Sequence, residues 1–138
     1  MSETLNEKAV CLADHIDQSG ITYGEGKVEL MRKACRLQGV PLTDENTDED
    51  GNTINPWLFV KLFDPCTGWR WYVQDWDGQD ICFGWVEGFE KEWGSFSLSE
   101  LGNIRGHLGI GIEIDTHYMP KHKDLVIEKY SVSEKLGN

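Results

Sequence analysis

The sequence predicts an α+β domain: an antiparallel sheet of four or five strands, with two N-terminal helices and one short helix packed on it. Three observations carry that expectation. All six tryptophans fall between Trp57 and Ser97, in short apolar runs punctuated by Asp, Gly, Pro and Thr, as successive antiparallel strands are. Ahead of that block, apolar residues recur at helical rather than strand spacing. A chain of 138 residues with 39% hydrophobic content has the size and the apolar material for one core.

Residues 1–42 read as a helical lead-in. Thr4 and Glu7 have capping-box spacing. Leu5, Ala9, Leu12 and Ile16 follow as a narrow apolar stripe, and Gly20 supplies a stop. The second helix is expected from Lys27 to Gln38, burying Val28, Met31, Ala34, Cys35 and Leu37, with Gly39 and Pro41 ending it. Its basic cluster of Arg32, Lys33 and Arg36 reads as a solvated face.

Residues 43–56 read as an acidic connector, mobile because like charges in series repel. Asn46, Asp48, Asp50 and Gly51 stand at calcium-loop spacing. The closing bidentate Glu is missing, because Trp57 holds its position.

Residues 57–120 form the expected sheet core, with strands near 57–63, 69–75, 81–87, 93–97 and 112–118. Period-two alternation puts Trp69, Trp71 and Val73 on one face of their strand, with Arg70, Tyr72 and Gln74 on the other. Ile81, Phe83 and Trp85 share one face of the next strand, opposite Cys82, Gly84 and Val86. Ser97 and Glu100 repeat the capping-box spacing and open a short helix burying Leu98, Leu101 and Ile104. The glycine-bearing RGHLGIG run lacks the lysine of a phosphate-binding loop. Residues 121–138 are the tail.

Composition narrows the function. A net charge of −11 repels phosphates and disfavours direct nucleic-acid binding. No segment has the roughly 18 apolar residues of a membrane span, and the first ten residues lack the pattern of a signal peptide. Four cysteines without CxxC spacing read as reduced thiols of a cytoplasmic protein, with no cofactor implied.

The block KLFDP, WRWYV, EWGSFSLSELGNIRG and GIEIDTHYMP resembles the bacterial DUF2958 family of uncharacterised proteins. The matching positions include Lys61, Phe63, Pro65, Trp71, Glu92 to Gly94, Phe96 to Leu101, Arg105, Gly106, Ile112, Glu113, Asp115 and Pro120. Ile114, His117, Tyr118 and Gly111 depart from the family pattern. The resemblance implies an accessory gene of mobile DNA and transfers no catalytic residue.

Two functions follow as expectations. The first is non-enzymatic: an acidic, tryptophan-rich surface docks on a protein partner with a basic surface, using Trp69, Trp76, Trp93, Glu92 and Arg105. The alternative is a metal-assisted hydrolase or small-ligand-binding protein using Glu113, Asp115 and His117 on the last strand. One strand rarely supplies a whole metal site, so a carboxylate from Glu87, Glu90 or Glu92 would complete it. A homodimer is also expected, through tryptophan-bearing faces, with an edge strand at Ile112 to Tyr118.

Overall fold

A computed structural model describes residues 9–127. Its centre is a five-stranded antiparallel sheet of order β5-β4-β3-β2-β6. The strands are β2 (Val60–Phe63), β3 (Arg70–Trp76), β4 (Ile81–Glu87), β5 (Lys91–Ser97) and β6 (Glu113–Ile114). A two-stranded ribbon pairs β1 (Trp57–Leu58) with β7 (Lys121–His122). Helices α1 (Glu25–Leu37) and α2 (Leu98–Gly102) complete the α+β architecture. No described helix is long and apolar enough to cross a membrane.

The alternation read in β3 and β4 sorts the side chains onto two faces. Trp71, Val73, Trp76 and Cys82, with Val60, Leu62 and Ile114, build the main core with Met31, Ala34, Cys35, Leu98 and Leu101 of the helices. Tyr72 and Trp85 face the other way, with Leu58, Tyr118 and Val126. On that face Lys61, Tyr72, Trp85 and Trp93 stand opposite one another in a row across four strands. Beside them run Phe63, Arg70, Glu87 and Lys91.

The phase of β3 changes once. Val73 pairs with Gly84 but Asp75 pairs with Phe83, so Gln74 is an extra residue bulged out of the ladder. The bulge moves Asp75 off the main-core face onto that of Phe83 and brings Trp76 into the core; Thr43 Oγ1 (2.8 Å), Asn46 Nδ2 (3.0 Å) and Gln74 Nε2 (3.2 Å) all donate to the Asp75 carboxylate.

Helix α1 buries Val28, Met31, Ala34 and Cys35 as their spacing predicts. It ends in a Schellman arrangement. Gly39 takes φ 69°, the Val40 amide donates to the Cys35 carbonyl at 3.0 Å, and the Gly39 amide donates to that of Arg36 at 3.1 Å. Helix α2 starts at Ser97, whose Oγ accepts the Glu100 amide at 3.1 Å, as the capping spacing predicts.

Three expectations are corrected. The first N-terminal helix is not formed over residues 9–20, where only a 3-10 turn at Leu12–Asp14 is helical; Thr4, Leu5 and Glu7 lie outside the described residues. Its backbone is satisfied elsewhere: the Gln38 carboxamide bonds both Val10 N (3.0 Å) and Val10 O (2.8 Å), and the Ala13 amide donates to Thr116 O (3.1 Å). Leu12 and Ile16 are nevertheless core residues.

The expected last strand, 112–118, reduces to Glu113–Ile114. Asp115 breaks it by accepting the His117 amide on its side chain (3.1 Å) and the Tyr118 amide on its carbonyl (3.2 Å). The acidic connector is folded against the sheet rather than loose. Asn46 is buried, donates to Asn55 O (3.2 Å), and accepts the Asn55 amide (2.8 Å), while Thr47 and Thr53 form a bridge.

Candidate functional site

The expected docking residues separate. Trp76 is 4% exposed, its indole N–H donating to Val40 O at 3.2 Å, so it presents no ring to solvent. Trp93 is half-buried on the face away from the helices, stacked on Phe83 with centroids 6.0 Å apart and edge-on to Trp85 at 5.4 Å. Arg105 is exposed beyond α2, its guanidinium 5.2 Å from the Tyr23 ring centre. Trp69 and Glu92 do come together, at the hairpin end of β4 and β5.

There a shallow groove of about 380 Å³ is lined by Trp69, Val86, Gly88, Phe89, Glu90 and Glu92. The register builds it. Val86 opposes Trp71 on one side and Glu92 on the other, so Val86 and Glu92 share the face of Trp71 and Trp69. A three-residue turn, Gly88–Phe89–Glu90, joins the strands, the Gly88 amide donating to the Glu90 carbonyl at 3.0 Å. Trp69 is held one residue before β3 by the tight loop after β2: the Asp64 amide donates to Trp69 O, and the Gly68 amide to Asp64 O, each at 2.9 Å.

Phe89 meets the Trp69 ring edge-on at 5.0 Å yet remains 93% exposed. Trp69 in turn tilts against Trp71 at 5.9 Å. The ring of Trp69 lies where a side chain at residue 88 would stand: a Cβ there would be 2.4 Å from Cζ3. Gly88 is therefore part of the groove floor. The carboxylates of Glu90 and Glu92 are exposed at the rim, and neither forms an ion pair among the described residues. Aromatic faces beside two exposed carboxylates are the chemistry that receives a guanidinium, which stacks on the ring and is bonded at the rim.

Sequence reasoning reached Trp69 and Glu92 as docking residues and Glu90 only as a candidate metal ligand, but not Phe89 or the floor at Gly88. The signal was present: a phenylalanine between Gly and Glu at the tip of a three-residue turn has no core to enter.

Glu113, Asp115 and His117 are not set on one strand face. Asp115 Oδ2 lies 3.3 Å from Lys61 Nζ, His117 is exposed in the turn, and Glu113 is in β6 opposite Phe63. Among the described residues no three of His, Cys, Asp and Glu are grouped to hold a metal ion.

The described residues form a small α+β domain: an antiparallel sheet with helices on one face and an acid-rimmed aromatic groove at one hairpin. The protein of unknown function family DUF2958 matches residues 36–130, and the chain belongs to that family. The match extends past the Trp57 to Pro120 block, from the end of α1 to beyond Ile127. No curated protein and no solved structure matches the chain.

Proposed function

We propose that the protein is a non-enzymatic interaction protein, a cytoplasmic accessory product of mobile DNA, whose groove docks an arginine- or lysine-bearing surface of a partner protein. One observation carries this reading: Phe89 is held out in solvent against Trp69, beside the exposed carboxylates of Glu90 and Glu92. A solvent-exposed phenylalanine set against a half-buried tryptophan is the kind of aromatic pair that anchors interfaces. The net charge of −11 supports a basic partner and fast, salt-sensitive capture.

The test is a pull-down at low and moderate salt, with wild-type protein and with a Phe89→Ala, Glu90→Gln, Glu92→Gln triple variant. All three side chains are exposed, so the variant should fold. The reading expects a partner retained at low salt, weakened as salt rises, and lost with the variant. Equal retention by both proteins would remove the groove from the interaction. Failure to retain anything at low salt would remove the interaction itself.

A further inference from the structure

The two edges of the sheet are finished differently. At β6 the carboxamide of Gln18 takes the place of a neighbouring strand: its Nε2 donates to Ile114 O at 2.8 Å and its Oε1 accepts the Ile114 amide at 3.1 Å. Lys27 Nζ donates to the same Oε1 at 2.8 Å and fixes the amide in place. That edge is closed to another chain.

Among the described residues the β5 edge is open. Two hydrogen bonds fix the phase of the β4–β5 ladder: Gly88 N–H to Glu90 O (3.0 Å) at the turn and Leu98 N–H to Asp80 O (2.9 Å) at the far end. Hydrogen-bonded and non-hydrogen-bonded pairs alternate between them. Glu92, Gly94 and Phe96 therefore turn their amides and carbonyls toward β4. Trp93 and Ser95 turn theirs outward, and no described strand lies beyond them. An edge whose Trp93 and Ser95 backbone groups point outward, with no described strand beyond them, is a template for one more strand.

We infer that β5 pairs antiparallel with β5 of a second copy, about a two-fold axis at Gly94, joining two five-stranded sheets into one. This register places Trp93 against Ser95 of the other copy twice over, which satisfies all four outward amides and carbonyls of those residues. It sets Glu92 opposite Phe96 and Lys91 opposite Ser97, so no like charges oppose. The two Glu92 carboxylates are separated by four residues along the strand, roughly 13 Å at strand rise. Gly94 permits the close approach of a non-hydrogen-bonded pair at the axis, since no atom lies within 4 Å of where its Cβ would stand. The contact is made by β5 and not by the strand at Ile112 to Tyr118, and it stands independently of what the groove binds.

Light scattering on eluting protein tests it with three chains. Wild type should run at twice the chain mass, and its dimer should tighten with added salt, which screens the repulsion between two copies at −11. Ser95→Pro deletes one outward donor without touching the ladder to β4, and should be a folded monomer by circular dichroism. Gly94→Cys should form an intermolecular disulfide across the axis on mild oxidation. If the proline disturbs folding, Gly94→Glu serves instead, setting like charges opposite each other in open space. A wild-type monomer at every salt concentration overturns the proposal, as does a dimer that salt dissociates or one that both Ser95→Pro and Gly94→Glu leave intact. A wild-type dimer in which Gly94→Cys does not cross-link overturns the register.

Discussion

Asp80 holds Ser99 with both carboxylate oxygens: Oδ1 accepts the Ser99 amide at 2.7 Å and Oδ2 the Ser99 hydroxyl at 3.0 Å. Ser97 Oγ donates to the same Oδ2 at 2.8 Å while accepting the Glu100 amide. The β3–β4 turn is thereby tied to the start of α2. Ser97 and Ser99 of the SFSLSEL run are accounted for as structural residues.

Asp80→Ala should destabilise the fold by roughly 2 kcal/mol, the effect of removing a cap and leaving its donors unmet. Burial raises the Asp80 pKa, but the bonds from Ser97 and Ser99 and the nearby Arg32 outweigh it and hold the carboxyl below its usual 3.8. A depressed folded value means the stabilisation is present above 3.8 and is lost as pH falls through the folded value. Urea melts below pH 4 should therefore show a loss in wild type that Asp80→Ala lacks.

Lys27→Met should raise stability at pH 7 by about 1 kcal/mol or more. Lys27 is 1% exposed, and burial lowers its pKa from 10.5 although Glu113 pulls it back up. The unfolded chain then binds more protons between the lowered value and 10.5, so wild-type stability climbs with pH through that window. Denaturant melts at pH 7 and pH 10 should show the climb in wild type and not in the methionine variant. Gln18 keeps its bonds to Ile114 in either case.

Gly84 and Gly94 face each other across β4 and β5 but should tolerate substitution very differently. A Cβ on Gly84 would stand 1.7 Å from the Tyr72 carbonyl oxygen, beside the bulge; on Gly94 it meets nothing within 4 Å. Gly84→Ala should cost about 3 kcal/mol or more in calorimetric unfolding, and Gly94→Ala no more than about 0.5 kcal/mol.

Thiol titration should separate the cysteines by place. Cys66 is exposed, Cys11 half-buried, and Cys35 and Cys82 buried together between α1 and β4. A hydrogen bond with Cys35, and then burial, push the Cys82 thiol far above its ordinary range. Ellman reagent should modify Cys66 at once, Cys11 more slowly, and the buried pair only on denaturation. Prompt reaction at four thiols in native protein would contradict that packing.

The readable part of the fold was the part whose side chains are sorted by one local rule. Trp71 and Val73 lie opposite Tyr72 because strand geometry forces alternation, and Val28, Met31 and Cys35 are buried because helix geometry forces their spacing. What could not be read depends on long-range polar partners. Gln38 reaches back to Val10 and removes the reason for a first helix; Gln18 reaches Ile114 and Asp80 reaches Ser99 across gaps of 96 and 19 residues. The groove was half-visible for the same reason. Trp69 and Glu92 stood out by type, but Phe89 joined them only through the register of β4 and β5.

The latch of Asp75 on Thr43 and Asn46 has a consequence for the acidic segment after α1. Its Thr43 and Asn46 side chains are anchored to a bulge in the central strand, so opening residues 43–55 means breaking hydrogen bonds to the middle of the sheet. The segment is then one cooperative unit with β3, and its amides at Ile54 and Asn55 exchange with solvent only when the domain as a whole opens. Acidic and glycine-bearing as it is, this stretch resists a protease while the sheet is intact.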